Sequence, residues 1–493
     1  MHFGSSAITF DAMGCQKGFE MQDFLDYIAC GGATVLAKNI VYKKWPVIFP
    51  SAMARALIAY PHGDSARPHV DWTKFWDDSR QELWGRHHPV QQMTRAQRAL
   101  AHPIYVHGDE GKGKRERAVM ILSWGTFFIR PSSNVLHYKF PFAATRLHIR
   151  MSPHVFEPLN TPSVMLQFAS RDQVIRGACM AEDASGRNQT LHVLQEHLVK
   201  NLERCAHPDR CPDLQGISLQ YICGRGDWKF KCAWLAETRS YQLRKLSGWN
   251  CDMECADLLH TVWIGCAKDL VGSVLLDVVQ YDPRLASAES WDAGLAALLS
   301  LFHSWCETRK LDKSLVEELS LVKLGVTNAV AFDFPKGMSK AYPNKVLVYF
   351  LADLLQATTV PELKRQAVAC WALANWSYVI DMAEVFLTDV QARQAVESAK
   401  LYLQCHMLLA RLALVAGRPR YKIRPRMHSY ACEIVAKVDS GSRLNPKHTA
   451  CFADESFVGK VCSVGLARPV HTSTLHLRLL QRMIMQLNAQ VAS

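Results

Sequence analysis

Ile104-Tyr-Val-His-Gly-Asp-Glu-Gly-Lys-Gly-Lys-Arg-Glu-Arg-Ala-Val-Met-Ile-Leu-Ser123 opens on a short β-rich run, Ile104–His107, and closes on another, Ala118–Ser123. Between them lies a turn-rich polar connection of glycines and charges. Short apolar runs rich in β-branched and aromatic residues and bounded by glycine read as strands. Thr126-Phe-Phe-Ile129 adds a third, so the stretch predicts an antiparallel meander. Outward from it, Asn188–Cys205 sets Leu191, Leu194, Leu198 and Leu202 at helical spacing. Ile217–Cys223 returns to a β pattern and ends at Gly224-Arg-Gly-Asp227. The order is therefore strands, helix, strand.

The flanks differ in texture. Residues 1–100 are irregular and read as an accessory region, with Phe24–Leu36 as a short helix. Beyond about residue 285 the chain reads as almost wholly helical: Trp291–Lys310, Lys345–Ala357, Glu362–Ile380 and Asp389–Val415, a break at Gly417-Arg-Pro, then Met427–Val438 and Thr472–Gln490. Trp371, Trp376, Leu401, Leu408, Leu412 and Leu414 read as helix core. The predicted division is 1–100 accessory, 101–285 α/β core, 286–416 helical insertion, and 417–493 a basic stretch with helices that complete the core.

Composition bounds the function. The 493 residues carry 57 Lys+Arg against 45 Asp+Glu, a net charge of +12, and 49% hydrophobic content excludes wholesale disorder. The basic excess favours a polyanionic partner. No apolar run is long enough to predict a membrane span, and the first residues lack the pattern of a signal peptide. Sixteen cysteines are too sparse for a disulfide scaffold and read as reduced thiols with room for a metal cluster.

Several patterns carry candidate chemistry. Gly108-Asp-Glu-Gly-Lys-Gly-Lys-Arg115 nearly spells a phosphate-binding loop. Arg115 replaces the hydroxyl that would bind Mg²⁺, and a strand follows where a helix should start. A plain hairpin loop is the alternative. In a third reading, Asp109 and Asp227 each follow a predicted strand, the arrangement that an RNase H-like nuclease core requires. Carboxylates suit that chemistry because hard oxygen ligands hold two Mg²⁺ ions about 4 Å apart. Glu433, near His428, is the candidate third acid, while Glu110 and Asp213 compete for the first two positions and turn residues remain the plain alternative.

Cys251-Asp-Met-Glu-Cys255 has a spacing used by zinc, and Cys232 with His260 would complete four ligands; buried reduced thiols are the alternative. Cys205 and Cys211, with His207 between them, form a second cluster. Finally, Arg418-Pro-Arg-Tyr-Lys-Ile-Arg-Pro-Arg426 holds five cations and no acid. Held extended by its prolines, it could track a phosphate backbone with Arg418, Arg420, Lys422, Arg424 and Arg426 while Tyr421 stacks on a base, unless it is a solvated loop.

Several blocks carry a family likeness: Tyr105–Lys114 with Ala118–Ser123, Gly224-Arg-Gly-Asp-Trp-Lys229 with the Cys251/Cys255 pair, Ile423-Arg-Pro-Arg-Met-His428, and Asn445–Lys460. In these the chain resembles the transposase-like proteins of repetitive transposable elements in protist genomes, notably the dinoflagellate type. The resemblance implies a mixed α/β fold: an RNase H-like core with a large, predominantly helical insertion and a helical C-terminal region. It further implies metal-dependent cleavage and transfer of element DNA, with Mg²⁺ or Mn²⁺ on Asp109, Asp227 and a third acid, and structural Zn²⁺ in an insertion. DNA is the implied partner and the nucleus the implied site, with a homo-oligomer as a further option. The alternative is an inactive relic that binds nucleic acid or serves as a helical interaction protein.

Overall fold

The computed structural model describes residues 33–37, 41–45, 47–59, 71–112, 118–126, 139–146, 189–225, 242–326, 333–466, 479–483 and 485–486. Two compact units divide the chain: residues 1–254 together with 452–493, and residues 255–451.

The first unit begins with an antiparallel pair, β1 (Ala33–Ala37) and β2 (Val41–Trp45). The helix expected over Phe24–Leu36 is thus corrected at its end, where Ala33–Leu36 is strand; its earlier residues lie outside those described. Helix α1 (Pro50–Ala59) follows, and short helical turns between residues 73 and 92 form a shell that buries Phe75, Trp76, Trp84 and Val90. In that shell Trp76 Nε1 donates to the Ala101 carbonyl at 2.7 Å, and buried His88 meets the Tyr221 carbonyl at 3.1 Å.

The main sheet has four strands: β3 (Ala101–Lys112), β4 (Ala118–Thr126), β5 (Lys139–Arg146) and β6 (Ser218–Arg225). Their order is β5-β4-β3-β6. β3, β4 and β5 pair antiparallel as a meander, and β6 returns parallel to β3 after helix α2 (Gln189–Ala206), which packs on it. A parallel return needs such a crossover. Of the expected third strand, Thr126 is the last residue of β4 and residues 127–129 lie outside those described; the next described strand is Lys139–Arg146. Pro141 obscures β5 in the sequence, yet β5 is an edge strand, where proline is tolerated. Helix α8 (Phe452–Leu466) packs on β3 and buries Phe457, Val458, Val461 and Cys462 against Ile121.

The second unit is helical: α3 (Ala267–Tyr281), α4 (Trp291–Arg309), α5 (Ala341–Leu355), α6 (Lys364–Met382) and α7 (Asp389–Val415). π-Helical turns occupy Leu259–Cys266, leading into α3, and Tyr430–Val435. Helix α6 packs against both α5 and α7. Two buried asparagines tie loops to helices: Asn344 Nδ2 donates to the Trp263 and Met338 carbonyls, and Asn445 Nδ2 to those of Ile380 and Glu384. The helical unit begins before and ends after the expected 286–416, because α3 and the segment after α7 pack within it. Trp376 is core, as expected, but Trp371, Leu408, Leu412 and Leu414 are exposed and Leu401 is half-buried. No described helix is long and apolar enough to cross a membrane.

Candidate active site

Side chains alternate along a strand, and on β3 the residues Tyr105, His107 and Asp109 share the face turned to α8. His107 Nδ1 lies 3.8 Å from Asp454 of α8. Asp109 sits nearer the end of β3, half-buried. The Cys462 thiol on α8 is pushed up to about 11, first by burial and then by the Asp109 charge, so the carboxylate faces this helix. Asp109 lies inside the strand instead of following it, because the β3–β4 ladder continues to Lys112↔Ala118. That ladder also makes Gly108–Lys112 one arm of a hairpin, which removes the phosphate-loop reading.

The parallel register between β3 and β6 ends at His107↔Arg225. Asp109 and Asp227 each follow this last pair by two residues in sequence; Asp227 itself lies outside the described residues. Gly224, just before it, admits close chain approach: a Cβ there would stand 2.5 Å from Glu254 Oε2. Glu254 bridges to Gly224 and accepts hydrogen bonds from Tyr221 Oη (3.1 Å) and Trp249 Nε1 (3.2 Å).

Asp454 is an acid that the sequence reading missed. Fully buried, it ion-pairs with Lys139 of β5 and lies 3.6 Å from Arg225 Nη1 of β6. The Arg225 guanidinium stacks 3.7 Å from the centre of the Tyr105 ring. Two cations sharing one carboxylate would oppose a divalent ion there, so this cluster reads as an internal counter-ion set. Its only sequence signal is an acid in the first turn of a largely apolar helix. Glu455, the next residue, is half-buried and stands two helical turns before Cys462, on the same side of α8.

The other expected site residues separate. Glu433 lies on the π-helical turn Tyr430–Val435 of the second unit, half-buried. Its neighbour His428 is exposed and hydrogen-bonds through Nδ1 with the Cys432 thiol at 3.4 Å. Of the zinc set, Cys232 lies outside the described residues, Cys251 is exposed and Cys255 half-buried. His260 commits its Nδ1 to Asp257, whose carboxyl is held below its ordinary range despite burial by that histidine and by backbone N–H donors. Among the described residues, Cys251, Cys255 and His260 do not gather as a three-ligand set. At the second cluster, burial and the neighbouring Cys211 raise the Cys205 thiol, and His207 turns to Glu203 at 3.2 Å.

The basic stretch is the largest correction. Asp269, Ser273 and Asp277 form one buried stripe along α3, and the chain after α7 closes over it. Arg424 pairs with Asp269, and its Nη2 donates to Oδ1 at 2.9 Å. The Tyr421 amide donates to Ser273 Oγ at 2.8 Å, and its hydroxyl donates to Asp277. Buried Arg420 lies 3.7 Å from Asp277, which also accepts from Gln366 Nε2 at 2.8 Å. Arg418 donates to the Tyr281 hydroxyl, Arg426 Nη1 to the Ile264 carbonyl at 3.3 Å, and Lys422 lies 5.4 Å over the Phe334 ring. Tyr421 is 2% exposed, with φ +53, so it cannot stack on a base without leaving the core. The stretch is an internal strap, not a solvated arm.

No protein-family model matches the chain, and no curated protein is significantly similar to it. The reading therefore rests on the geometry of the chain itself.

Proposed function

We propose that the first unit is an RNase H-like core and that the protein is a transposase-like enzyme of metal-dependent DNA strand cleavage and transfer. One observation carries the reading: β3 and β6 are adjacent and parallel, and their register stops two residues before Asp109 on one strand and before Asp227 on the other in sequence. The antiparallel meander, the crossover helix α2 and the packing of α8 on β3 support the reading.

The donors fit a hard divalent cation, since Asp109 is a half-exposed carboxylate whose charge is felt by Cys462. Bound Mg²⁺ or Mn²⁺ would activate an attacking oxygen and stabilise the leaving one. Glu455 of α8 is the better third acid than Glu433, because its helix packs on β3 within the same unit. Asp454 positions α8 through Lys139 and Arg225. Structural zinc would require Cys232 and a regrouping of Cys251, Cys255 and His260.

The test is nicking of supercoiled plasmid by the full chain with Mg²⁺ or Mn²⁺. Activity should fall at least about a hundredfold in Asp109→Asn, the scale on which a group holding the transition-state charge acts, with unchanged thermal unfolding. Metal-dependent nicking that survives this change would contradict the reading. The inward strap favours a second one: an inactive, transposon-derived protein that binds nucleic acid elsewhere or serves as a helical interaction protein. DNA binding with no nicking under either metal would select it. A nuclear location follows only if DNA is the substrate.

A further inference from the structure

Cations from three segments of the second unit converge on the first turn of α3. Lys268 and Asp269 stand there side by side in sequence. The segment before α5 lies directly on this helix: the Gly337 amide donates to the Lys268 carbonyl at 2.8 Å, and a Cβ on Gly272 would stand 2.6 Å from the Lys336 backbone. That packing fixes where Lys336 stands. From the strap, Arg424 pairs with Asp269, and Arg426 Nη1 reaches the Ile264 carbonyl, one turn before Lys268, at 3.3 Å. Lys422 lies 5.4 Å over the Phe334 ring, close to Lys336 in the chain.

The acids do not match them. Asp269 gives both carboxylate oxygens to Arg424, so that pair is already neutral. Among the described residues no carboxylate pairs with Lys268, Lys336, Lys422 or Arg426; exposed Asp333, three residues before Lys336, pairs with none of the four. The repulsion is felt inside the cluster. The half-buried Lys268 amine is held below its ordinary range, first by burial and then, against Asp269, by Lys336, Arg424 and Arg426. The Asp269 carboxyl, raised by burial, is drawn back by Arg424, Lys422 and Lys268. A solvated face spaces its cations apart in water, whereas these crowd one helical turn, where like charge costs stability. An anion bound among them would return that cost. The crowding also selects the anion. A duplex spreads its phosphates along a line at one charge per about 3.4 Å of each strand. A polyphosphate chain brings several charges to one point.

We propose that Lys268, Lys336, Lys422 and Arg426 form a binding site for the polyphosphate group of a small ligand at the first turn of α3. The site lies wholly in the second unit, and its test involves neither DNA cleavage nor a metal at Asp109, so it stands or falls apart from the cleavage reading. Calorimetric titration of the full chain with inorganic tripolyphosphate, in metal-free buffer at constant ionic strength, should show saturable binding. A nucleoside triphosphate as the second probe distinguishes the sources: equal affinity marks a free polyphosphate, and tighter binding marks a nucleotide. Lys268→Gln and Lys336→Gln should each weaken binding about tenfold or more, the scale of a hydrogen bond to a charged group. Lys336→Glu should abolish it. Without ligand, Lys336→Glu should melt at or above the parent temperature, because it puts an acid among crowded cations. Tripolyphosphate should raise the melting temperature of the parent and not of this variant. That readout separates lost binding from lost folding, and Lys422→Gln replaces Lys268→Gln should the latter melt early. Four results would each overturn the proposal: no saturable binding of either probe, binding that survives Lys336→Glu, a Lys336→Glu chain that melts well below the parent, or a DNA duplex bound through Lys268 and Lys336 with no binding of tripolyphosphate.

Discussion

In the first unit one buried acid, Asp454 on α8, is met by cations from two strands, Lys139 of β5 and Arg225 of β6. In the second, two acids on one helix, Asp269 and Asp277 of α3, are met by cations from one continuous strap. The first arrangement pins a helix onto a sheet at a single point. The second zips a loop onto a helix along its length and spreads the contacts. The second places Arg420 and Arg424, where the sequence suggested a polyanion partner, against buried acids of the same unit, so a local excess of base is weak guidance to a binding surface until its counter-ions are located. The two devices should also fail differently.

The largest effect should come from Asp454→Ala. It removes the carboxylate shared by Lys139 and Arg225, and losing one partner of a buried ion pair costs about 3–5 kcal/mol. Urea unfolding followed by hydrogen exchange should show α8 and the β3–β6 sheet destabilised while α3–α7 stay protected. Equal loss in both units would break the comparison.

Acid should come next. Burial lowers His88 and His102 of the first unit, and His406 of the second, to about 4. Each is neutral when folded, whereas the unfolded chain takes up a proton below its ordinary value of about 6.5. Stability from each is therefore present above about pH 6.5 and lost as pH falls toward 4, with about 2 kcal/mol per histidine gone by pH 5. With two such groups against one among the described histidines, the first unit should lose about twice as much between pH 7 and 5. Exchange rates of both units at the two pH values check this; a second unit that opens first would reverse it.

Tyr421→Phe sharpens the contrast from the side of the strap. It removes the donor to buried Asp277, and an unsatisfied buried partner costs about 1–3 kcal/mol. The urea midpoint of the second unit should drop, whereas any DNA affinity and its salt dependence should not change. A large loss of DNA affinity with no loss of stability would restore the strap as a nucleic-acid contact. The smallest effect sets a scale. Thr94 and Thr388 each close a capping box, with Gln97 and Gln391, so Thr94→Ala and Thr388→Ala should each cost about 1 kcal/mol in their own units.

The sheet was legible where pattern is local. Ile104–His107 and Ala118–Ser123 lie within strands and Ile217–Cys223 overlaps one from Ser218 on, and the helices from Trp291 to Val415 follow their apolar periodicity to within a few residues. β5 was hidden by Pro141 at a sheet edge, and α8 by a segment without a strong apolar stripe. At the candidate site, Asp109 could be read from its place in a β-rich run. Asp454 could not, because its burial depends on Lys139 and Arg225, distant in sequence. The strap failed for the same reason: Arg420, Tyr421 and Arg424 look solvated until Asp269, Ser273 and Asp277 are seen at four-residue steps on α3. That polar stripe on an otherwise apolar helix was the one readable warning. Trp371, Leu408 and Leu412 show the converse, since hydrophobicity predicts that a side chain will be covered without naming what covers it.

Titration of the full chain with Mn²⁺ tests the central claim most directly, with Asp109→Asn, Glu455→Gln and Glu433→Gln beside the parent. The account predicts saturable binding that Asp109→Asn and Glu455→Gln each weaken at least tenfold and that Glu433→Gln leaves intact. Binding that survives Asp109→Asn, or that is lost on Glu433→Gln and kept on Glu455→Gln, would contradict a metal site between β3 and α8.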